Sequence, residues 1–438
     1  MRPRITFPIR KGFREALDSR VDSYFAERHA GKHGEGTPML LKSALIASWV
    51  LGSYLFVLLA PVSAATRLMG CVVYGLGIAA FVFNIGHDGN HGAYSDKPWL
   101  NRLTGMSFDL IGVSSFLWRF RHNVVHHTYT NIAGVDCDMS SAAPFLRLNP
   151  TDPYYPFHRF QHVYAWFLYS LVATNWLFRD ASALFGVRKY CMHDVPKPAR
   201  ADYAAYFLGK AVLIGYLLVL PLWMGFSMLQ IFIGLAAAYL TTGLLVAVTF
   251  QLAHIVERSE VMVPAGPAAE MSDEWAIHQL KTCTDFAPTN RIVSWFLGGL
   301  NFQAVHHLYP DVCHLHYPGL SRIVAEVADQ HGVEYRVYST MTEALAAHYR
   351  VMRRLGRQKR DGDRLSTASV GQHVILESAP NENRTRVSAL KELSGGCGTS
   401  RREPSFYAIL RREIGLQGTA CADMGGSLFL PRNGTNLA

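Results

Sequence analysis

Three long stretches without a charged side chain constrain the fold of this 438-residue chain more than any other feature. No Asp, Glu, Lys or Arg occurs in the 43 residues 211–253, in the 24 residues 43–66 or in the 19 residues 68–86. A helix needs about 20 mostly apolar residues to cross a bilayer, so the longest stretch has room for two spans and each of the others for one. Because only 17% of the residues are charged, a disordered chain and an ordinary soluble enzyme are excluded. The sequence predicts a multi-pass membrane protein.

The net charge of +9 is unevenly distributed along the chain. Residues 353–438 contain 14 Lys and Arg against 8 Asp and Glu, whereas the preceding residues are close to neutral. No nucleic-acid-binding module is recognisable, so nucleic acid is not an expected partner. The seven cysteines are widely spaced without a C-x-x-C motif, which indicates thiols in a reducing compartment rather than a disulfide framework.

The pattern of apolar and polar residues divides the chain into three segments. Residues 1–38 are predicted to be a cytoplasmic N-terminal segment with an amphipathic helix, because Phe13, Leu17, Val21 and Phe25 recur every four residues among charges. Residues 39–352 are the predicted membrane domain, and residues 353–438 a disordered basic tail. The predicted spans are residues 41–60, 68–86, 205–224 and 228–253.

The basic residues predict the orientation in the membrane. The two short turns between paired spans contain one basic residue, whereas residues 1–42 contain nine and residues 87–202 contain eleven. Cytoplasmic loops carry the excess of Lys and Arg, so we expect both termini and both large polar segments in the cytoplasm. We interpret the uncharged, aromatic residues 160–178 as an in-plane or re-entrant helix, not a fifth span. The expected fold is all-α, with four transmembrane helices in two hairpins and a cytoplasmic helical cap that carries a histidine-rich site.

Eight of the 19 histidines lie in short clusters or at the end of the fourth span. The clusters are HDGNH, HNVVHH and QAVHH. Spans two and four both run toward the cytoplasm, which brings all of these residues to one membrane face, where ionisable groups usually have a function. The eight histidines are His87, His91, His122, His126, His127, His254, His306 and His307.

The spacing within these clusters indicates two metal ions. Histidines four residues apart share a helix face, so His87 and His91 could bind one metal ion, as could His122 and His126. Adjacent histidines on a helix point about 100° apart, so each HH pair suits two metals better than one. Imidazole binds Zn, Cu, Fe and Ni alike. A nitrogen-rich site with two metals and open positions beside the bilayer suits activation of O2 by ferrous iron.

The remaining histidines are interpreted as surface or core residues. His158 and His162 are also four residues apart, but no third candidate ligand is near them in the sequence. His314 and His316 follow the last cluster closely and are expected to be structural or to support the ligands.

The motifs HDGNH, WRFRHNVVHHTYTN and NFQAVHHLYP occur in that order, with two spans between the second and the third. This arrangement resembles the membrane fatty acid desaturases. Gln303 in place of the first His of the last motif is similar to the front-end subgroup, which desaturates between an existing double bond and the carboxyl end. The resemblance covers about residues 5–350, including FQLAHIVE and CHLHYPGLSRIV, and leaves out the tail.

The resemblance implies a centre of two iron ions with the eight clustered histidines as ligands and Gln303 as a ninth. O2, as co-substrate, and two electrons would then remove two hydrogens from adjacent methylenes of a fatty acyl chain. Four further side chains either orient ligand imidazoles or cap local structure: Asp88, Asn90, Asn123 and Asp136.

The partners and two alternative functions follow from the same residues. Many front-end relatives carry a fused haem-binding domain with a His-Pro-Gly-Gly motif, which this sequence does not contain. We therefore expect electrons from a separate ferredoxin, or from a b-type cytochrome with a reductase, besides contacts with membrane lipid. A membrane di-iron lipid hydroxylase would use the same clusters and add oxygen to the chain. A metal transporter would use the histidines as relay ligands, usually near mid-membrane.

Overall fold

The computed structural model describes residues 5–9, 12–34, 36–140, 142–186, 189–190, 193–266, 269–358 and 373–375. All described residues belong to one compact unit, which lies within Met1–Ser400. Of the predicted disordered tail, only residues 353–358 and 373–375 are therefore described, and the remainder lies outside the described residues.

Helices account for most of the described structure, in agreement with the predicted helical class. Three π-helical turns, Val82–Gly86, Phe120–His126 and Gly215–Val219, continue α-helices without a break. The α-helices are α1 (Phe13–Arg28), α2 (Thr37–Leu59), α3 (Ala64–Phe81), α4 (His87–His91), α5 (Pro98–Gly105), α6 (Ser107–Leu110), α7 (Ser115–Arg119), α8 (His127–Tyr129), α9 (Gln161–Ser170), α10 (Val172–Phe185), α11 (Arg200–Ile214), α12 (Leu220–Trp223), α13 (Met228–His254), α14 (Trp275–Thr282), α15 (Arg291–Phe296), α16 (Gln303–Leu308), α17 (Tyr317–Gln330) and α18 (Met341–Leu355).

Six short strands form three two-stranded sheets. The first and second sheets are antiparallel and the third is parallel. The pairs are β1 (Lys189–Tyr190) with β2 (His193–Asp194), β3 (Glu260–Met262) with β6 (His373–Ile375), and β4 (Asp285–Phe286) with β5 (Val337–Tyr338).

Four continuous helical stretches are long and apolar enough to cross a membrane: Thr37–Leu59, Ala64–His91, Arg200–Trp223 and Met228–His254. Each agrees with a predicted span to within five residues at both ends. The aromatic stretch 160–178 instead belongs to α9 and α10, which are separated at Leu171. Neither reaches the length of a span, so the described part of the chain has four such helices, as predicted.

The helix pair α3 and α13 forms the centre of the bundle, with α2 packed against α3. Gly75 permits the close approach, because any side chain there would collide with the carbonyl group of Ala238. Thr242 Oγ1 donates to the carbonyl oxygen of Gly75 at 2.9 Å and joins the two helices. This packing sets His87 and His254, which follow or close the two helices, at the same end of the bundle.

The amphipathic N-terminal helix α1 packs against α17. Its predicted apolar stripe is covered by protein, since Phe13, Leu17 and Val21 are buried. Arg14 Nη1 also donates to the carbonyl oxygen of Leu308 at 3.1 Å, at the end of α16. The N-terminal helix therefore supports the helix that carries the last histidine pair.

Candidate metal centre

Four buried histidines form a first group of candidate ligands. One ring nitrogen from each of His87, His91, His122 and His306 lies within 4.8 Å of the others. His87 and His91 come from α4, His122 from the π-helical turn after α7, and His306 from α16. Gly89, between the first two, lets α4 pack directly on Thr104, whose side chain a Cβ atom would meet.

A second group consists of His126, His254 and His307, whose ring nitrogens also lie within 4.8 Å of one another. Their ring centroids are 4.8 to 4.9 Å apart. His126 ends the π-helical turn, His254 ends α13, and His307 belongs to α16. The adjacent histidines His306 and His307 thus enter different groups, which is the arrangement that the helical geometry predicted.

His127 lies between the two groups. Its ring stacks on that of His307, with 4.2 Å between the centroids, and lies 4.7 Å from that of His306. Its Nε2 atom is 3.2 Å from Nε2 of His122. Two nitrogens that each bind one metal ion at about 2.1 Å and at right angles are about 3 Å apart, so this separation fits a shared ion.

The π-helical turn changes the pairing that the spacing of HNVVHH predicted. The backbone N–H of His127 donates to the carbonyl oxygen of His122, an i→i−5 bond that aligns residues five apart. His122 therefore faces His127, and His126 turns toward the second group. We expected His122 and His126 to share a metal ion; their rings stack with 5.2 Å between the centroids, but their ring nitrogens fall in different groups.

Hydrogen bonds at the Nδ1 atoms hold four of these imidazoles. Such contacts fix the ring orientation and leave Nε2 for a metal ion. The contacts are His126 Nδ1 with Asp136 Oδ2 at 3.1 Å, His254 Nδ1 with the Thr282 carbonyl at 3.2 Å, His306 Nδ1 with the Tyr317 hydroxyl at 3.1 Å, and His307 Nδ1 with Gln279 Oε1 at 2.9 Å.

The Nε2 atoms of these histidines indicate what the site can bind, because most of them have no hydrogen-bond partner among the described residues. Buried polar atoms are almost always hydrogen-bonded, so a cluster of unpaired ones requires a reason. Among the residues that the structure describes, five of the Nε2 atoms are buried without a hydrogen-bond partner, as is Oε1 of Gln303. A pair of metal ions bound by the five nitrogens and this amide oxygen accounts for all six atoms, and the residues present fit such a pair. The five Nε2 atoms belong to His87, His91, His126, His306 and His307.

The electrostatics keep most of these rings neutral. Burial, together with the charge that neighbouring histidines would carry, holds the pKa values of His122, His127 and His307 well below their ordinary range. A neutral imidazole has a free lone pair, which a metal ion requires. Burial also opposes the charged form of His126, but the Asp136 carboxylate outweighs it and raises the pKa of this ring.

Two of the four predicted supporting side chains contact an imidazole. Asp136 bonds His126, and Asp88 lies with Oδ1 3.9 Å from Nδ1 of His87. The two asparagines instead join backbone segments: Asn90 Nδ2 donates to the carbonyl oxygens of Gly86 and Gly105, and Asn123 Nδ2 to that of Asn90. The contacts of Asn90 and Asn123 therefore agree with the second predicted role, in which these side chains stabilise local structure and do not orient imidazoles.

The sequence did not single out Gln279, Thr282 or Tyr317, which hold His307, His254 and His306. Tyr317 lies in the CHLHYPGLSRIV segment, three residues after His314, so its position next to a histidine motif was a usable signal. Gln279 and Thr282 lie in α14, about 25 residues before α16, and no local pattern connects them with a metal site.

An apolar cavity of about 30 Å³ adjoins the first group. It lies between the end of α3, the segment after α5, α10 and α13, and the ring of His87 forms part of its wall. Apolar walls with a single reactive edge are typical of sites for apolar ligands. The other lining residues are Val82, Phe83, Phe108, Ile111, Val113, Trp118, Trp176, Val246, Phe250 and Leu300.

Comparison with known proteins identifies the family. The sequence pattern of the family described as fatty acid desaturase matches residues 63–339. The sn-1 linoleoyl-lipid 6-desaturase of Synechocystis sp. is 42% identical over 354 residues, which cover 81% of this chain and 98% of the relative. The enzyme of the same name from Arthrospira platensis is 42% identical, with 80% and 95% covered. An acyl-lipid (8-3)-desaturase of Physcomitrium patens is 33% identical, with 78% and 71% covered.

These matches confirm the resemblance to front-end desaturases and remove the hydroxylase and the transporter from consideration. The four apolar helices and the histidine groups agree with a membrane protein that binds metal. The chain therefore belongs to the fatty acid desaturase family, as an oxidoreductase that acts on fatty acyl chains.

Proposed function

We propose that this desaturase introduces a double bond at carbon 6 of a linoleoyl chain esterified to a membrane lipid. The substrate and position are those in the names of two relatives that are 42% identical over nearly their whole length. The structural observation that supports desaturation of an acyl chain is the position of His87, which adjoins both the candidate metal site and the apolar cavity. Its Nε2 atom is one of the unpaired nitrogens of the first group, and its ring lines the apolar cavity.

The proposed ligand sets follow the two groups. His87, His91, His122 and His306 would hold one iron ion, and His126, His254 and His307 the other. His127 would join His122 on the first ion, and Gln303 would add an oxygen ligand near His254. Bound as ferrous ions, the metal pair would supply reduction of O2 to two waters, with two electrons from a donor, two protons from the solvent and two hydrogens from neighbouring methylenes.

The protein's own contribution is to place the acyl chain and exclude water. A saturated methylene has no polar group for recognition, so its position depends on apolar contacts along the chain. The cavity has room for only about one water-sized group. We infer that the large rings of Trp118, Trp176 and Phe250 move apart when the acyl chain enters and then close against it. Only the two methylenes that are to be desaturated would then reach the metal centre.

The proposed topology places the four helices as two hairpins, with both termini and the metal centre on the cytoplasmic side. The distribution of basic residues supports it, because the short connections near residues 60–63 and 224–227 contain none. A separate ferredoxin, or a b-type cytochrome with its reductase, would dock on that side and deliver electrons. The proposed division into an N-terminal segment, a membrane domain and a basic tail follows the prediction above, except that α18 continues through Leu355 into the first residues of the predicted tail.

Product analysis tests the reaction. The chain is expressed in a host without polyunsaturated fatty acids, linoleate is supplied, and lipid acyl chains are identified by gas chromatography and mass spectrometry. We expect a triene with the new double bond at carbon 6, released by a lipase specific for the sn-1 position. A hydroxylated product, or a new double bond on the methyl side of the existing ones, would contradict the proposal.

Metal analysis tests the site. Purified protein loaded anaerobically with ferrous iron is expected to bind two iron ions per chain. The variant His307→Ala is expected to insert into the membrane but to lose desaturase activity. His348→Asn is the matched control, because His348 is also buried but hydrogen-bonds Tyr169 and the Ile255 carbonyl outside the groups. Equal activity of His307→Ala and the control, or binding of zinc alone, would refute the assignment.

A further inference from the structure

A lysine is buried in a helix that otherwise faces outward. Only 17% of the apolar window of α2 is buried, yet Lys42 near its start is 6% exposed. Its Nζ atom lies 2.8 Å from Nε2 of His314 and 5.5 Å from the ring centre of Trp295. Lysines are almost never fully buried unless they are paired, so this contact requires a compensating negative charge nearby.

The charge is supplied through His314. A lysine ammonium group can only donate, so Nε2 of His314 must accept, and the ring proton of a neutral His314 is then on Nδ1. Nδ1 lies 2.7 Å from Oδ2 of Asp88, a carboxylate that is 2% exposed. Lys42, His314 and Asp88 thus form one directed chain of hydrogen bonds from α2 to α4.

This series of polar contacts continues from Asp88 to His87, a candidate metal ligand. The other carboxylate oxygen of Asp88 lies 3.9 Å from Nδ1 of His87, longer than a hydrogen bond but close enough for the negative charge to favour a proton on Nδ1. His87 Nε2 is then left with its lone pair, and this atom has no hydrogen-bond partner among the described residues. The charge of Asp88 therefore favours the tautomer of His87 that can bind a metal ion through Nε2.

The same residues do not suit a third metal ion. Donor atoms of Asp88, Cys313 and His314 lie within 4.8 Å of one another, as in a metal site. However, Nε2 of His314 already faces the Lys42 ammonium group, and Nδ1 faces Asp88. The ammonium group supplies the positive charge that a metal ion would bring.

We propose that Lys42, His314 and Asp88 are positioning residues that fix the orientation and tautomer of His87 and thereby control iron binding by the four-histidine group. Without Lys42, the buried Asp88 carboxylate would lack its compensating charge, and His314 could take the other tautomer. This inference rests on the di-iron centre proposed above. It connects an outward-facing membrane helix with one half of the metal site.

The test uses full-length protein in detergent, loaded anaerobically with ferrous iron. Iron per chain is measured by elemental analysis, and the two iron environments by Mössbauer spectroscopy. The variants are Lys42→Met, Lys42→Arg and His314→Asn. Lys210→Met is the matched control, because Lys210 also lies on a predicted span, but its Nζ donates only to the carbonyl oxygens of Gly112 and Leu177 in the contacts described.

We expect Lys42→Met and His314→Asn to weaken one iron site about 10- to 100-fold, as loss of a residue that orients a ligand does. The second site should keep its affinity and spectrum, Lys42→Arg should restore part of the loss, and Lys210→Met should bind iron like the parent. Two unchanged iron sites in both Lys42→Met and His314→Asn would overturn the inference. So would a third metal ion in the parent that either substitution removes. Failure of the parent to bind iron would instead refute the proposed function.

Discussion

At the scale of single residues, Gln303 is the candidate ligand that differs in chemistry from the rest. It precedes His306 and His307 by three and four residues on α16, so its side chain lies between those of the two histidines around the helix. Its Nε2 lies 3.2 Å from His254 Nε2, whereas its Oε1 is buried without a partner in the described part of the chain. An amide oxygen is a neutral and weaker donor than imidazole, which suits a position that holds an exchangeable ligand or orients one.

Gln303→Ala is expected to lower desaturase turnover at least about tenfold, which corresponds to about 1.4 kcal/mol in the barrier, while most of the iron stays bound by the eight histidines. Gln303→His should recover part of the turnover, because it restores a donor on the same face. Turnover and iron content are measured on the same preparations. Near-parental turnover of Gln303→Ala at equal iron content would remove this residue from the site.

His348 provides a prediction about pH. Its Nδ1 atom donates to the Ile255 carbonyl at 2.7 Å, its Nε2 contacts the Tyr169 hydroxyl at 2.9 Å, and the Trp166 ring covers it. Burial lowers the pKa of His348 from 6.5 to about 4. Between these two values the unfolded chain binds more protons than the folded protein, so this residue makes the free energy of unfolding fall as the pH drops from 6.5 to 4.

The expected loss from His348 is on the order of 3 kcal/mol across that range, at 1.36 kcal/mol per pKa unit. About 2 kcal/mol of this loss falls between pH 7 and pH 5, and thermal unfolding in detergent at these two pH values detects it. His348→Asn should have a lower Tm than the parent at pH 7, because hydrogen bonds are lost, but a smaller decrease between the two pH values. An equal decrease in both proteins would show that other groups cause the acid sensitivity.

At the scale of secondary structure, the turn after α6 forms one wall of the cavity. Ile111 and Val113 line the cavity, and Lys210 Nζ on α11 donates to the carbonyl oxygen of Gly112 between them at 2.8 Å. A second bond to the carbonyl oxygen of Leu177 at 3.0 Å ties the same lysine to α10. One side chain therefore fixes the distance between three elements around the proposed acyl site.

Lys210→Met removes the hydrogen-bond donor of these two carbonyl oxygens. Each buried carbonyl that stays unpaired lowers the free energy of unfolding by about 1–3 kcal/mol. We expect a looser wall, seen as a lower turnover and a second positional isomer among the products, at unchanged iron content. Lys210→Arg keeps donors within reach and should retain the main product. Product isomers are resolved by mass spectrometry of derivatised acyl chains. A single unchanged isomer from Lys210→Met would exclude a role of this contact in chain placement.

At the scale of the whole molecule, the C-terminal boundary of the membrane domain can be tested by truncation. α18 ends at Leu355, and Arg147 Nη1 donates to the carbonyl oxygens of Leu355 and Gln358. Truncation after Gln358 keeps these contacts and removes most of the predicted tail. We expect unchanged membrane insertion and desaturation in cells, because the candidate ligands and the cavity lie before residue 308.

A second truncation after residue 375 retains β6, which pairs with β3, and serves as the control. The strand β3 is itself bridged to Ile132, close in sequence to the second histidine motif. A large loss of activity after truncation at Gln358, together with full activity of the longer form, would show that β6 supports the site.

The sequence by itself determined the helical class, the four apolar helices and the histidines that come together. These properties follow from short-range causes: a charge-free run long enough for a bilayer, and motifs whose members lie within one or two helical turns. The same motifs were sufficient to identify the family, because their order along the chain can be read from the sequence without knowing how the helices pack. The alternative of a fifth span also depended mainly on local length, and the break at Leu171 agrees with the four-span prediction.

Only the tertiary structure decided how the histidines are divided and what holds them. The π-helical turn, which no spacing rule predicted, aligns His127 with His122, and the ring nitrogens of His122 and His126 fall in different groups. Lys42, Gln279 and Tyr317 reach their histidines from distant or separate elements, so their roles depend on contacts that the local sequence does not encode. The physical reason is that helical periodicity orders neighbours along one helix, whereas hydrogen bonds to a ring nitrogen depend on which helices pack together.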